Sequence, residues 1–281
     1  MVENVYVTGS RGLVASKVIQ DLPKNWNLIA PEYQELDITQ KENLDIYFAD
    51  QKLDAIINFA AVTDVDGAEK ERGDENGVCW QVNVNGAVNL ANLAKEKQAL
   101  MVQISTDFVF GGTSGSHDEA SKPLDSMDSL SWYGWTKLVA EKRLAEVGGS
   151  LSVVRIAFPT GNFANPKDYL NKLKGGVEKG YGIFSDQQIT LTYIPDLAKA
   201  LTVILEQKKT GIYHVVTHPI TTPFEVATAL GVGEVKDGLL ADFLKKEGIA
   251  KRPIKGGLLC DETQKTLGLT FASLNEVLAT L

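Results

Sequence analysis

Short apolar runs rich in β-branched residues alternate with longer segments of helical spacing over the first half of the chain. Five of these runs predict strands, at 5–7, 28–30, 55–59, 100–104 and 151–156. The segments between them predict helices at 13–22, 41–50, 82–97 and 132–147, with Thr39 as the N-cap of the second. Strands of about five residues separated by helices are typical of βαβ units, so we predict a parallel sheet with helices on both faces.

The pattern becomes irregular after residue 156, where Pro, Asn and Gly cluster at 158–162. A helix is predicted again at 196–207 and a strand at 213–216, and elements near 190–216 are expected to return to the main sheet. The predicted fold class is therefore α/β, with a Rossmann-type doubly wound parallel sheet over residues 1–156 and a smaller C-terminal lobe formed mainly by residues 157–281. Ligands of such sheets bind beyond the carboxyl ends of the strands.

The chain of 281 residues carries 28 basic and 36 acidic side chains, for a net charge of −8. Because this charge repels phosphate backbones, we predict no nucleic-acid partner. No apolar stretch reaches the roughly 18 residues that a membrane helix needs, so we predict no membrane span. No basic segment precedes an apolar run at the start of the sequence, so we expect no secretory signal.

Cysteine and histidine usage gives no metal-binding pattern. Cys79 and Cys260 lie far apart, and His117, His214 and His218 lack the spacing of metal ligands. We therefore predict two free thiols, no metal site and a cytoplasmic location.

The segment at residues 8–15, TGSRGLVA, lies between the first predicted strand and the first predicted helix. Gly9 permits a tight turn, Gly12 lets the backbone approach a pyrophosphate, and the small Ala15 allows close helix packing. A glycine turn at this position in a parallel-sheet pattern predicts dinucleotide binding. The predicted cofactor contacts of the loop are Gly9, Ser10, Arg11, Gly12, Leu13 and Val14.

The sequence leaves the choice between NAD and NADP open. Glu32 follows the second strand, where a carboxylate accepts hydrogen bonds from a ribose 2′-hydroxyl and favours NAD. Arg11 favours NADP, because a guanidinium in the loop would bind a 2′-phosphate. Asp37 and Ile38 are candidates to frame the adenine, although an ordinary loop fits them equally well.

A tyrosine and a lysine four residues apart, Tyr133 and Lys137, lie on one face of the helix predicted at 132–147. A nearby ammonium favours the phenolate, so we expect Lys137 to lower the pKa of Tyr133 from about 10. The pair would then give a proton to a carbonyl oxygen while a nicotinamide gives hydride to its carbon. Thr106 follows the fourth strand, where a hydroxyl would orient that carbonyl.

These motifs together resemble the extended short-chain dehydrogenase/reductases, and within them the dTDP-4-dehydrorhamnose reductase family. Residues 57–69, INFAAVTDVDGAE, are similar to the family's NxAAxTxVDxAE stretch, and residues 105–111, STDFVFG, resemble its STDYVFDG. Glu119 and Pro123 fit the spacing that precedes its YGxTK motif, which reads YGWTK at residues 133–137. Weaker similarities extend to residue 253, so the resemblance covers nearly the whole chain.

The resemblance implies that Thr106, Tyr133 and Lys137 form a catalytic trio that reduces the 4-keto group of dTDP-4-dehydro-6-deoxy-L-mannose with NADP or NAD. The C-terminal lobe would hold the nucleotide sugar, and a homodimer is left open. Asn83 would also support the site. Further implied cofactor contacts are Phe59, Ala60, Ala61, Asn83, Ser105, Tyr133, Lys137 and Ile156. Implied substrate contacts are Thr63, Val65, Asp107, Phe108, Phe158 and Arg252.

Asp64, Asp66 and Glu69 are typical either of a Mg²⁺ site or of a solvated helix start, and we assign no metal to them.

Three departures from the family pattern lie on the substrate side. Phe108 replaces a tyrosine, Phe158 replaces a tryptophan, and residues 186–192 lack a glycine and a proline. The sugar specificity is therefore open. Two other functions remain as alternatives. One is a non-catalytic dinucleotide-binding regulatory subunit. The other is a GDP-sugar epimerase-reductase, because residues 11–14 resemble the phosphate loop of such enzymes.

Overall fold

The structure, a computed structural model, describes residues 2–281. Its strands are β1 (Asn4–Thr8), β2 (Asn27–Ile29), β3 (Ala55–Asn58), β4 (Leu100–Thr106), β5 (Leu151–Ile156), β6 (Pro159–Thr160), β7 (Gly182–Phe184), β8 (Thr192–Tyr193), β9 (Gly211–His214) and β10 (Lys236–Gly238). Its α-helices are α1 (Leu13–Asp21), α2 (Lys41–Tyr47), α3 (Val65–Glu69), α4 (Val78–Trp80), α5 (Ala87–Glu96), α6 (Trp132–Val147), α7 (Tyr169–Glu178), α8 (Ile194–Glu206), α9 (Pro223–Leu230), α10 (Leu240–Phe243), α11 (Asp261–Leu267) and α12 (Leu274–Leu278).

A six-stranded sheet with the order β2-β1-β3-β4-β5-β9 forms the centre of the molecule, and all its neighbouring strands are parallel. The register pairs Ile57 with Val102 and Val102 with Ser152. Apolar cores lie on both faces of this sheet, which is why its strands read as continuous apolar runs. The predicted α/β class and parallel doubly wound sheet are confirmed.

Most predicted elements of the first half occur within a few residues of their predicted bounds, and α6 and β5 coincide with them. The N-cap prediction for α2 was wrong: Gln40 occupies that position, while the backbone N–H of Thr39 is bound by Asp37 at 2.9 Å. The helix predicted at 82–97 is interrupted, because Gln81–Gly86 forms a π-helical turn between α4 and α5.

The smaller lobe contains two short parallel pairs, β7 with β10 and β6 with β8. Its separate apolar core includes Leu173 of α7, Val226 of α9 and Val277 of α12. The chain returns to the main sheet through α8 and β9, and β9 pairs with β5 through Ser152 and Gly211. The domain division at residue 156 stays a prediction.

Among residues 2–281, no helix has the length and apolar character that a bilayer crossing requires.

Candidate active site

The glycine turn after β1 lies against the end of β3. Gly9 has φ +64, in the left-handed region, and a Cβ placed there would lie 3.0 Å from the backbone nitrogen of Ala60. The N–H of Gly12 donates to the carbonyl of Gly9 at 2.8 Å and closes the turn. Gly12 precedes α1 without any side-chain cap, so the first N–H groups of this helix are open to an anion.

A cavity of about 470 Å³ begins at this turn and runs along the carboxyl ends of the strands. It brings together the three residues of the predicted catalytic trio and the two glycines of the loop: Thr106, Tyr133, Lys137, Gly9 and Gly12. The other predicted site residues that border it are Leu13, Val14, Phe59, Ala61, Thr63, Val65, Ser105, Asp107, Phe108, Ile156 and Phe158.

Helix α6 is positioned so that its YxxxK face meets the end of β4. Ser131 caps the helix by accepting a hydrogen bond from Gly134 N at 3.1 Å. Gly134 is required here, because a Cβ would lie 2.4 Å from the carbonyl oxygen of Phe108. One turn later, the Lys137 Nζ donates to the carbonyl of Ile104 at 2.7 Å. This close packing places Tyr133 beside Thr106.

The protonation equilibria of the pair differ from the prediction in one respect. Burial raises the pKa of Tyr133 above its ordinary value, Asp107 adds to the rise, and a hydrogen bond with Thr106 opposes it. The predicted lowering by Lys137 is therefore not what this structure gives. Burial lowers the pKa of Lys137 from 10.5 to about 8, against the opposing influence of the Glu141 carboxylate. The phenol is thus held protonated beside an ammonium that is still mostly charged at neutral pH.

A buried ion pair supports α6 from behind. Arg155 donates to both carboxylate oxygens of Glu141, at 3.1 and 2.7 Å, and both residues are almost fully buried. The Ser105 hydroxyl also donates to Glu141, at 2.5 Å. The side chain of Ser105 therefore faces the helix, although the residue borders the cavity. Sequence reasoning missed Glu141, whose position four residues after Lys137 was the available signal.

Asn83 does not border the cavities described here. Its side chain accepts from the N–H of Val62 at 2.8 Å and donates to the hydroxyl of Thr136 at 3.0 Å. The residue is 1 % exposed. Its amide is used in these contacts, and the predicted direct contact between Asn83 and the cofactor stays a prediction. It holds the segment after β3 in place, as the broader supporting role required.

A second cavity of about 460 Å³ lies on the other side of the glycine turn. The predicted site residues that border it are Gly9, Ser10, Arg11, Gly12, Glu32, Asp37, Ile38, Phe59, Ala60 and Ala61. Arg11 and Glu32 form an ion pair at this cavity, with the guanidinium well exposed. The two charges that favour opposite cofactors are therefore bound to each other.

The substrate-side residues meet in a third cavity lined by Phe108, Phe158 and Arg252. Phe158 has φ +42, an uncommon conformation for a non-glycine residue, and its ring lies edge-on to Tyr169. The guanidinium of Arg252 is bound to Asp66 at 2.6 Å, which joins the smaller lobe to α3. Arg252 thus borders the site with its charge already paired.

Two lysines that sequence reasoning missed also face this region. Lys167 borders the first cavity, and Lys172 borders both the first and the third. Neither lysine takes part in an ion pair within residues 2–281. Lys167 precedes α7 and Lys172 lies within it, and neither belongs to a motif, so only the fold places them at the cavity.

The acidic residues near α3 are used within the protein. Asp64 caps the helix by accepting from Gly67 N at 3.0 Å, Asp66 binds Arg252, and Glu69 pairs with Arg72 at 2.5 Å. Over the part of the chain that the structure describes, no group of three His, Cys, Asp or Glu residues is arranged to hold a metal ion.

This combination of a parallel sheet, a glycine turn and a Thr–Tyr–Lys cluster defines a reductase of the extended short-chain type. The chain matches the RmlD substrate binding domain family over residues 3–281 and belongs to that family. The predicted resemblance is therefore confirmed.

Individual relatives agree with this assignment. A dTDP-4-dehydrorhamnose reductase of Aggregatibacter actinomycetemcomitans is 29% identical, over 94% of this chain and 92% of its own length. A probable low-salt glycan biosynthesis reductase of Haloferax volcanii is 25% identical, over 98% of this chain and 96% of its own. The crystal structure of dTDP-4-dehydrorhamnose reductase from Bacillus anthracis in complex with NADP has a TM-score of 0.86 at 24% identity, covering 100% of this chain and 98% of that one.

Proposed function

We propose that the protein is an NAD(P)H-dependent oxidoreductase that reduces the 4-keto group of a nucleotide-activated deoxysugar to an alcohol. The observation that carries this proposal is that Thr106, Tyr133 and Lys137 border the same cavity as the glycine turn. The relatives named dTDP-4-dehydrorhamnose reductase support dTDP-4-dehydro-6-deoxy-L-mannose as the substrate and dTDP-L-rhamnose as the product.

The residues present fit a dinucleotide cofactor. A Cβ at Gly9 would crowd the backbone of Phe59 and Ala60, so the turn is open only because glycine occupies it. The uncapped N–H groups at the start of α1 would hold the diphosphate, and Arg11 and Glu32 would lie at the adenosine ribose. When bound, the reduced nicotinamide supplies a hydride.

The chain's own groups supply orientation, a proton and positive charge. Thr106 orients the ketone by a hydrogen bond to its oxygen. Tyr133 then donates its phenolic proton to that oxygen as the carbonyl carbon takes up the hydride, so that one C–H and one O–H bond form. The raised pKa of Tyr133 keeps the proton available, and the Lys137 ammonium stabilises the phenolate that remains.

The charges around the cavity support an anionic substrate. The chain as a whole has a net charge of −8, yet Lys167 and Lys172 face the cavity without carboxylate partners among residues 2–281. A diphosphate between sugar and nucleoside would complement this local charge. Phe108 and Phe158 line the adjoining space, so they are the residues expected to determine which sugar is accepted. A homodimer and a cytoplasmic location stay predictions.

Replacement of Tyr133 tests the proposal. The full-length protein is mixed with NADPH or NADH and a panel of 4-keto nucleotide sugars, and nicotinamide absorbance is followed. Because general acid catalysis contributes about 10²- to 10⁴-fold, Tyr133→Phe is expected to lower kcat by that factor and to leave the Kd of the cofactor within about twofold. Tyr181→Phe is the matched control, since Tyr181 is 61% exposed outside the cavity, and it should keep the wild-type rate.

The same panel separates the alternatives. Cofactor binding without turnover of any sugar would favour a regulatory dinucleotide-binding subunit. Turnover of a GDP-sugar with a change in the configuration of its carbons would favour an epimerase-reductase. Loss of cofactor binding in Tyr133→Phe would mean that this tyrosine is structural.

A further inference from the structure

Asp107 is an acidic residue at the reacting end of the cavity that the proposed mechanism does not use. It follows Thr106 in a short helical turn, Asp107–Val109, at the end of β4. It borders the cavity and is 6 % exposed. Within residues 2–281, no lysine or arginine forms an ion pair with it.

The ionisable groups around Asp107 come from two sides. Tyr133 and Lys137 face the cavity from α6, and the Lys137 ammonium is bound to a carbonyl of β4 rather than to Asp107. Lys167 and Lys172 face the cavity from the segment leading into α7 and from α7 itself. The carboxyl group therefore has no bound cation to hold it in its ionised form.

Hydrogen bonds tie Asp107 directly to the hydroxyl of Thr106. The Oγ1 of Thr106 lies 3.1 Å from Oδ1 of Asp107, and it accepts from the N–H of Phe108 at 3.3 Å. A hydroxyl has one proton to donate. When Asp107 is ionised, Thr106 gives this proton to the carboxylate and has none left for a substrate ketone.

The two protonation states of Asp107 are close in free energy near neutral pH. Burial raises the pKa of Asp107 from 3.8 to about 7, against the hydrogen bond from Thr106 and those from the backbone of residues 107 and 108. A buried carboxyl without a cation partner favours its neutral form for this reason.

We propose that Asp107 is a positioning residue which, when protonated, donates to Oγ1 of Thr106 and so turns the Thr106 proton toward the substrate ketone. The neutral acid takes over the role of donor, and the Thr106 hydroxyl becomes free to donate into the cavity. Protonation of Asp107 adds one proton to the pair from the solvent, and the direction of the hydrogen bond between the two side chains reverses. This inference rests on the proposed reductase function for its catalytic consequence.

The protonation state can be measured without any turnover. The protein is labelled with ¹³C at the aspartate carboxyl carbons, and the Asp107 resonance is identified by its absence in Asp107→Asn. We expect this resonance to titrate with a midpoint near the value of about 7 given by its burial. A midpoint below about 5, within the ordinary range of aspartates, would overturn the inference whether or not the enzyme turns over.

The kinetic consequence is tested with dTDP-4-dehydro-6-deoxy-L-mannose and NADPH between pH 6 and pH 9. With a pKa of about 7, about nine tenths of Asp107 is protonated at pH 6 and about one tenth at pH 8. The ionisation of Asp107 alone should therefore make wild-type kcat about tenfold lower at pH 8 than at pH 6. Asparagine donates a hydrogen bond at every pH. In Asp107→Asn, kcat should therefore fall with rising pH only because Lys137, whose pKa is about 8, loses its proton. The alkaline limb of the pH profile, where kcat falls with rising pH, should therefore lie about one pH unit higher in Asp107→Asn than in the wild type.

Two further variants separate positioning from folding. Asp107→Leu offers Oγ1 of Thr106 neither a donor nor an acceptor. Its kcat should therefore also lack the loss near pH 7, but it should lie below that of Asp107→Asn at every pH because the hydroxyl is no longer oriented, and a merely structural role would not give this rescue by asparagine. Asp125→Asn makes the same chemical change at a side chain 68% exposed, and should keep the wild-type limb. An unchanged limb in Asp107→Asn would refute the positioning role. Absence of wild-type turnover would count against the proposed function, with the carboxyl titration still deciding the protonation of Asp107.

Discussion

The buried Lys137 ammonium lowers the free energy of unfolding by a measurable amount. The residue is 4 % exposed, and burial lowers its pKa from 10.5 to about 8. One pKa unit corresponds to about 1.4 kcal/mol, so keeping the charge in the folded state at neutral pH costs about 3 kcal/mol of stability. Lys137 therefore lowers the stability of the folded protein while it supplies the positive charge that the proposed mechanism uses.

Lys137→Met removes the ammonium but keeps a side chain of similar length. The substitution relieves the cost of burying charge, and it also leaves the carbonyl of Ile104 without its donor at 2.7 Å, a loss of about 1–3 kcal/mol. At pH 7 these effects nearly cancel, and the free energy of unfolding is expected to change by less than about 2 kcal/mol. Turnover is expected to fall at least about 100-fold.

The pH dependence distinguishes the two contributions. Between pH 8 and 10.5 the unfolded lysine keeps a proton that the folded lysine has released, so the stability of the wild type rises with pH over this window. Lys137→Met lacks this rise. The stability of the variant relative to the wild type should therefore decrease by about 2–3 kcal/mol from pH 7.5 to pH 10.

Urea unfolding of both proteins at several pH values measures this difference. Lys95→Met is the matched control, because the Lys95 ammonium also donates to a carbonyl, that of Val147 at 2.7 Å, but does so in an exposed position. A difference between Lys137→Met and wild type that stays constant within about 0.5 kcal/mol over this range would refute the reasoning.

Two further predictions concern the cofactor side. Gly9→Ala places a Cβ 3.0 Å from the Ala60 nitrogen at φ +64, so we expect a loss of about 1–3 kcal/mol of stability, measured by urea unfolding, and at least a tenfold weaker NADPH Kd, measured by calorimetry. Glu32→Gln frees the Arg11 guanidinium from its ion pair, so the ratio of NADPH to NADH affinity should rise at least about tenfold, measured by fluorescence titration.

Each of these has a control within the chain. Gly175→Ala lies in α7 with no heavy atom within 4 Å of its new Cβ, and it should stabilise the protein by about 0.5–1 kcal/mol. If Gly9→Ala stabilised the protein in the same way, the close approach between residue 9 and the backbone of Ala60 would not explain why glycine occupies the turn. Arg11→Ala should shift the cofactor ratio in the direction opposite to Glu32→Gln, and a ratio unchanged by both would exclude this pair from cofactor selection.

The order of strands and helices in the first half of the chain was predictable because the local spacing of apolar residues indicates it. The bounds of α6 agree with the prediction since Ser131 caps its start and Gly148 follows its end. The π-helical turn was not predicted from periodicity, and at its end Gly86 makes a tertiary approach that the sequence does not show: a Cβ there would lie 2.7 Å from the Ile38 side chain. The strands of the smaller lobe span only two or three residues, too few for a period to be read.

The candidate site was predictable as a set of positions but not as a set of charges. Chain order placed Thr106 and the YxxxK face at the sheet's carboxyl edge. The pairing of Arg11 with Glu32 and of Arg252 with Asp66 joins residues that are distant in sequence, and only the fold brings them together. The effect of burial on the pKa of Tyr133 outweighs any charge effect that sequence spacing suggests.

The main sheet ends on a strand that the chain reaches only after it has built part of the smaller lobe. A fragment that stopped at residue 156 would leave β5 without its neighbour β9, with a long row of unpaired backbone groups. The two lobes are therefore interwoven, and they cannot be exchanged between relatives as two continuous blocks. A new substrate preference would arise by replacements at Phe108, after β4, and within residues 157–191 and 217–281, while the strands of the main sheet stay unchanged.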